Sequence, residues 1–390
     1  MARFRGLPDT PIDWLALKVR EYLHMPDPLM LYTVIGSLAA NMIEGNPVWL
    51  MLVGAPGSGK TELLMALLGV PGVHPVSSLE GKGVFLSGTS SRERATDATG
   101  GLLRQVGPAG ALVIDDLSCI LSLPADQIRI VMDVMRQTFS GRYDRAMGVD
   151  GGKILHWCGK LAFLGGATGS IDHYHSVSAS LGERWIYYRL TEEDGYHKSR
   201  RALVNAGFSS WREELRELMR SFFDVEELGF KSIAARPEMM TNEMVRIIRI
   251  ASFVAPCRSA VLRETSGSRE IIGPRETEQS SRLAGTLGQL MAGLKVVGVS
   301  EANRWKAIKR VALDSMPRMR QMLVEYLLAH PTISAEEAMN LVGCSQSVML
   351  RTLQDLAVHH VVEREKSLTG IVRYGLTARM KTEYERGFLQ

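Results

Sequence analysis

"MLVGAPGSGKTELL", residues 51–64, is the stretch on which the reading of this chain turns. The residues before the glycines, "PVWLMLV" (47–53), form a short apolar run of the kind a parallel strand buried on both faces produces. Gly54-Ala55-Pro56-Gly57-Ser58-Gly59-Lys60-Thr61 then fits the pattern GxxxxGK followed by Ser or Thr in full. Glycines let the backbone curl until its N–H groups converge on an anion, and a helix opening at Lys60 adds positive potential. In this pattern the lysine reaches the β- and γ-phosphates and the hydroxyl of the next residue ligates Mg²⁺. Gly54, Gly57, Ser58, Gly59, Lys60 and Thr61 are therefore expected to hold ATP, with Thr61 as one ligand of its Mg²⁺.

Outward from the loop, "GALVIDD" (110–116) is a second buried run that ends in two acids. A strand of this kind delivers Asp115 and Asp116 to the phosphate end of a sheet. One carboxylate would hold Mg²⁺ and the other polarise the attacking water, and the pattern leaves open which does which. "KLAFLGGAT" (160–168) is a third strand and ends on Thr168, either a water-positioning hydroxyl or a simple turn residue. "ERWIYYRL" (183–190) is a fourth. Arg184, just before it, can point into a neighbouring subunit's site and offset charge on a transferring phosphoryl group, or it can pair with Glu183 on the surface. Arg189 inside the strand is the weaker choice. Arg282, at the start of "RLAGTLGQLMAGLK" (282–295), is a candidate contact for the γ-phosphate from a lid helix.

Strands alternating with helices predict an α/β fold with a parallel sheet. Residues 1–45 read as N-terminal helices, two amphipathic ones from about residue 10, with Asp13 as a cap of the first. Residues 46–192 read as the α/β core, 193–312 as a helical region broken by polar loops, and 313–390 as a separate module. In that module three helices are followed by two short strands around a Thr-Gly turn, which is the winged-helix pattern. Ser334 and Glu337 have capping-box spacing, and Ser345 stands before the third helix.

Composition narrows the partners. The chain has 390 residues and a net charge of +4, a mild excess that permits a nucleic-acid partner without demanding one. Its four cysteines are scattered with no CxxC, so neither a disulfide framework nor a zinc module is expected. The N-terminus carries no apolar signal core, and no apolar run reaches membrane-spanning length, so a cytoplasmic protein is expected. "GRYDRAMGVDGGKILHWCGK" (141–160) reads as a β-hairpin before the third strand. Its Arg142, Arg145 and Lys153 could track a phosphate backbone, with His156 and Trp157 able to stack on bases, or could form a basic hairpin packed on a neighbour. A Gly/Ser/Thr-rich stretch, residues 80–107 with Lys82, Arg92 and Arg94, is either a second such loop or a solvated connection. In 313–390 nine basic and nine acidic side chains cancel, so Arg351, Lys366 and Arg373 offer only a weak DNA footprint. His359 and His360 read as a solvated helix end.

Taken in order, the loop at 54–61, the acids at 115–116, Thr168, Arg184 and Arg282 resemble the AAA+ ATPases, as Walker A, Walker B, sensor 1, arginine finger and sensor 2. The hairpin before the third strand, the finger in "GERWIYYRL" and the C-terminal module resemble the MCM-like group, especially small members carried by phages and mobile elements. The AAA+ resemblance covers about residues 30–312, and the MCM-like one implies a hexameric ring that moves along single-stranded or duplex DNA in replication, with 193–312 as its lid. An ATP-controlled loader, initiator or transposition regulator that recruits a replication partner protein without unwinding is the second reading. Only about 45 residues precede the α/β core that carries the loop, and the segment from Arg184 to Arg282 is longer than a usual lid.

Overall fold

The computed structural model describes residues 10–389 except 78, 80, 89–98, 118–119, 121–122, 149–151, 175–182, 192–194, 208–209, 265–269, 273–275 and 367–369. Arg92 and Arg94 lie outside the described residues. The chain divides into two units: residues 1–171, 184–238 and 289–308, and residues 172–183, 239–288 and 309–390.

The first unit is built on five parallel strands. They are β1 (Trp49–Val53), β2 (Val73–Val76), β3 (Ala109–Ile114), β6 (Lys160–Ala167) and β7 (Trp185–Arg189), in the order β2-β3-β6-β1-β7. All five residues of β1 are buried, as its unbroken apolar run demands, and β6 and β7 flank it. Strand β2 was not legible in the sequence because "VHPV" carries a histidine and a proline. It lies at the sheet edge, where a missing N–H is tolerated. The aromatic rings of Trp49, Phe139, Phe163 and Trp185 pack edge-on and tilted at the amino ends of the strands, 4.7–5.9 Å apart.

Helices at Pro11–Tyr22, Leu29–Ala40, Lys60–Ala66, Ala125–Phe139, Gly195–Ala206 and Trp211–Val225 belong to this unit. The first is capped by Thr10, whose hydroxyl accepts the Asp13 amide at 3.4 Å and donates to the Asp13 carboxylate at 2.8 Å. Asp13 is thus the third residue of the cap rather than the cap. The helix Leu29–Ala40 is not amphipathic: every residue but Met30 is buried. A Cβ on Gly293 would lie 2.1 Å from the Gly36 carbonyl, so glycine is what permits the close approach against this helix. Buried Asn41 ties the helix end to the sheet, donating to Ser37 and Val48 carbonyls and accepting the Val48 amide.

Lys160, at the start of β6, donates to the Ala40 carbonyl at 3.0 Å and the Ile43 carbonyl at 2.6 Å. Burial pulls its pKa from 10.5 to about 8, helped by the Arg236 charge. Between those two values the unfolded chain holds a proton that the folded chain has released, so stability rises with pH across that window. The shift corresponds to on the order of 3 kcal/mol, at about 1.4 kcal/mol per pH unit. Denaturant titrations should show the wild type gaining stability on Lys160→Met as the pH climbs. Parallel pH curves for the two proteins would contradict this origin.

Between the helix Ala125–Phe139 and β6 stands an antiparallel pair, β4 (Arg142–Met147) and β5 (Lys153–Cys158). The expected hairpin is there, with alternating faces: Tyr143, Leu155 and Trp157 are buried, while Arg142, Asp144, Ile154 and His156 are exposed.

The second unit carries helices at Thr241–Arg258, Arg318–Ala329, Ala335–Val342, Gln346–Val358 and Ala378–Tyr384, with part of Ser280–Val296 and of Glu301–Asp314. Its small sheet has the order β8-β10-β9, from Ile333–Ser334, Val372–Leu376 and Val362–Lys366. The Ser334–Glu337 capping box is formed in both directions. Ser345 is the residue before its helix but makes no side-chain cap bond. Arg320, fully buried, donates to the Cys257 and Ser259 carbonyls and to Asp355, which also receives Arg263. A buried guanidinium this completely paired would cost about 3–5 kcal/mol to strand by removing Asp355. His359 is buried too, bonded to Thr277 and the Ala260 carbonyl, which corrects the expectation of a solvated histidine pair. Among the described residues no helix is long and apolar enough to cross a membrane.

Candidate functional site

Parallel strands present their carboxyl ends together, and crevices at such edges are where α/β sheets bind ligands. Three sequence candidates meet there. Val53 lies beside Ala167, and the Gly54 amide donates to the Ala167 carbonyl at 3.0 Å, so the glycine loop starts next to Thr168. Ile114 lies beside Gly165, and the Leu117 amide donates to the Gly166 carbonyl at 2.8 Å, which brings Asp115 and Asp116 to the same edge. Both carboxylates are exposed. Asp115 accepts the Asp116 amide at 3.0 Å, and the Thr168 hydroxyl shares a hydrogen bond with Ser170 at 2.6 Å.

The loop owes its shape to Gly57 and Gly59, with φ of 76° and 88°. A side chain at either position meets no atom within 4 Å, so the cost of alanine there is left-handed backbone, about 1–2 kcal/mol. Lys60 is buried, and its Nζ donates to the Gly54 and Ala55 carbonyls at 3.0 Å each. Burial lowers its pKa, and the Asp116 charge partly offsets that. The Ser58 hydroxyl is buried and makes no hydrogen bond among the described residues. A curled loop with a buried ammonium and an unsatisfied hydroxyl fits an anionic group such as a phosphate.

Two cavities flank the loop. The larger, about 580 Å³, is bounded by Gly57–Glu62, by Tyr22, Leu23, His24 and Met30, and by residues of 198–212 including Trp211. The smaller, about 570 Å³, runs from Ala55–Ser58 to Leu190, Thr191 and the face of the helix carrying Lys198, Ser199 and Ala202. Sequence reasoning missed the wall made by Tyr22, His24, Lys198, Arg201, Asn205, Trp211 and Arg212, because no motif marks it. It is held by contacts between residues far apart in the chain. Arg201 and Asn205 donate to the Glu21 and Tyr22 carbonyls at 2.7 Å each, satisfying the end of the first helix. His24 and His197 stack at 5.2 Å. Arg212 bonds Glu62 through two nitrogens, at 2.8 and 2.6 Å, and lies 4.6 Å over the Trp211 ring.

The remaining candidates lie on other elements. Arg184 precedes β7 at the amino end of the strand, where Trp185 pairs with Trp49, and its guanidinium carbon is 5.5 Å from the Phe139 ring centroid. The five residues of β7 span roughly 16 Å, so Arg184 sits at the sheet edge opposite the loop. Arg282 is exposed on the first turn of Ser280–Val296 in the second unit. On the hairpin, Arg145 donates to the Leu86 carbonyl. Arg142 pairs with Asp144 at 2.7 Å, which also bonds His156 at 2.7 Å, while Lys153 is exposed. Trp157 is buried and donates to the Gly107 carbonyl at 2.8 Å, so it is a core residue and not a base-stacking one. In the second unit Arg351 back-bonds to the Ser347 carbonyl, Arg373 pairs with Glu337 at 2.8 Å, and Lys366 is exposed.

The first unit is thus a mixed α/β domain whose five-stranded parallel sheet is flanked by helices, compatible with a Rossmann- or P-loop-like core. No protein-family model and no curated protein matches the sequence. Among solved structures, the A form apo structure of the NrS-1 C-terminal region (305–718) aligns with 96% of this chain and 76% of that one, at 9% identity and a TM-score of 0.26. A likeness of that size carries no functional argument.

Proposed function

We propose that the chain is an ATPase of the AAA+ class that acts as a ring-forming DNA motor, a helicase or translocase of the MCM-like kind. The observation that carries this reading is the meeting of the glycine loop, Asp115, Asp116 and Thr168 on one sheet edge. Lys60 takes the phosphates, exchanging the Gly54 and Ala55 carbonyls for phosphate oxygens. Thr61 and the two aspartates would hold Mg²⁺, which would supply positive charge to offset that of the phosphates. The Asp116 charge is felt at Lys60. Thr168 orients the attacking water. The order β2-β3-β6-β1-β7, with the Thr168 strand between the acidic strand and the loop strand, lets all three contribute at once.

Arg184 at the far edge supports a site shared between subunits, since it cannot reach the loop of its own chain. The test is subunit mixing. Lys60→Ala and Arg184→Ala should each be inactive alone, and mixing them should restore part of the ATP hydrolysis, because some interfaces then pair an intact loop with an intact arginine. A mixture as inactive as its parts would reject the shared site. A hexamer and the lid and γ-phosphate roles of 193–312 and Arg282 belong to the same reading, and the three helices and antiparallel pair of residues 318–376 support a winged helix.

The second reading is an ATP-controlled assembly factor that recruits a partner on DNA without unwinding. The engagement of Arg142, Arg145 and Arg373 with groups of their own chain favours it, since those contacts compete with phosphate for three cations of the DNA set. Strand unwinding separates the two, because only the motor produces it.

A further inference from the structure

We propose that the larger cavity beside the loop seats the nucleoside half of the ligand, and that its wall suits a purine; this rests on the nucleotide reading above. The sheet order gives the site a direction. Asp115, Asp116 and Thr168 stand at the ends of β3 and β6, on one side of the loop strand β1, and none of the three borders either cavity. The helix Gly195–Ala206 follows β7, on the other side of β1, and its residues border both cavities. A nucleotide whose terminal phosphate meets the aspartates therefore leaves the loop towards that helix, with its ribose and base on the cavity side.

The two cavities differ in what lines them. The smaller, bounded by Leu190, Thr191, Gly195 and Ser199, has no aromatic side chain among the described residues. The larger is bordered by Tyr22, Met30 and Trp211. Met30 is the one residue of the helix Leu29–Ala40 that is not buried, and this cavity is where it opens. A thioether beside aromatic rings suits the flat, polarizable face of a base. The wall is also set before any ligand arrives. The Tyr22 hydroxyl donates to Glu214 at 2.9 Å, and Arg212 lies over the Trp211 ring while bonded to Glu62 on the loop helix. A wall fixed in this way loses little freedom when a ligand enters. Room for the base comes from Ala202 and Ala206, exposed and one helical turn apart. Ala202 borders both cavities, and Ala206 only the larger.

Ala206→Leu, which fills the larger cavity from an exposed helix position, should weaken ATP binding about tenfold or more, the worth of the base contact it displaces. Inorganic triphosphate, which has no base, should bind this variant within about twofold of the wild type. Ser199→Leu, which narrows only the smaller cavity, should leave both ligands within about twofold. Because a purine covers more of the apolar wall than a pyrimidine, the wild type should hold ATP about fivefold or more tighter than CTP. The measurement is calorimetric titration of ATP, CTP and inorganic triphosphate into wild type, Ala206→Leu, Ser199→Leu and Lys60→Ala, with melting temperatures alongside. ATP weakened by Ser199→Leu and not by Ala206→Leu would put the base in the smaller cavity and overturn the proposal. So would a wild type that binds ATP no more tightly than CTP or than inorganic triphosphate; triphosphate binding that still needs Lys60 would then leave the loop reading standing. Absence of binding of all three ligands by the wild type would remove the nucleotide reading and this proposal together.

Discussion

Lys60→Ala should bind ATP at least about a hundredfold more weakly than the wild type, with a melting temperature close to unchanged. The Lys60 ammonium is buried and already makes two hydrogen bonds, 3.0 Å each, to carbonyls of its own loop. Its geometry is set before any ligand arrives, so binding phosphate requires only exchange of acceptors. Two charge-assisted bonds to phosphate are worth about 3 kcal/mol or more, hence the hundredfold. Stability should move little, because Ala55 borders the smaller cavity and Gly54 is only half-buried, so water can take over their carbonyls. Burial also holds the Lys60 pKa below the usual lysine value. The sign follows: as pH rises through that lowered pKa the ammonium is lost, and ATP affinity should fall before an ordinary lysine would titrate. Calorimetric titration across the alkaline range reads both effects, and affinity indifferent to Lys60 or to pH would be the contrary result.

Asp116→Asn should keep ATP binding and lose hydrolysis, by about a hundred- to ten-thousandfold, the range for removing a general base or metal carboxylate. The variant keeps the side chain's shape and an acceptor oxygen, so the Asp115 contact with the neighbouring amide survives. It also removes the one charge that raises the Lys60 pKa against burial. The alkaline loss of ATP affinity should accordingly begin at lower pH in Asp116→Asn than in the wild type. Hydrolysis at wild-type rate in this variant would move the catalytic role to Asp115 or away from the pair.

Much of this architecture was readable from residues alone, for stated reasons. Strands β1, β3, β6 and β7 are buried on both faces, so their apolar runs survive as uninterrupted text. The helix Ala125–Phe139 spans the whole of "ADQIRIVMDVMRQTF", whose apolar spacing announced it. The loop was readable because each position has a chemical task. Strand β2 was not, since four edge residues with a proline carry no periodicity. Helix Leu29–Ala40 was read as amphipathic because its buried Thr33 and Ser37 look like a polar stripe; Thr33 instead bonds the Leu29 carbonyl within the helix. Trp157 could not be assigned from composition, because strand alternation alone does not say which face is inward; the Gly107 carbonyl decides it. The wall from Tyr22 to Arg212 was invisible for a different reason: its residues are brought together by the fold and share no spacing.

The measurement that bears most directly on the central claim is steady-state ATP hydrolysis, without nucleic acid and with single-stranded or duplex DNA, at low salt where phosphate contacts are strongest. The account predicts hydrolysis that requires Lys60 and Asp116 and that rises when DNA is added. Hydrolysis that ignores DNA under those conditions would contradict the motor, and its absence altogether would contradict the site.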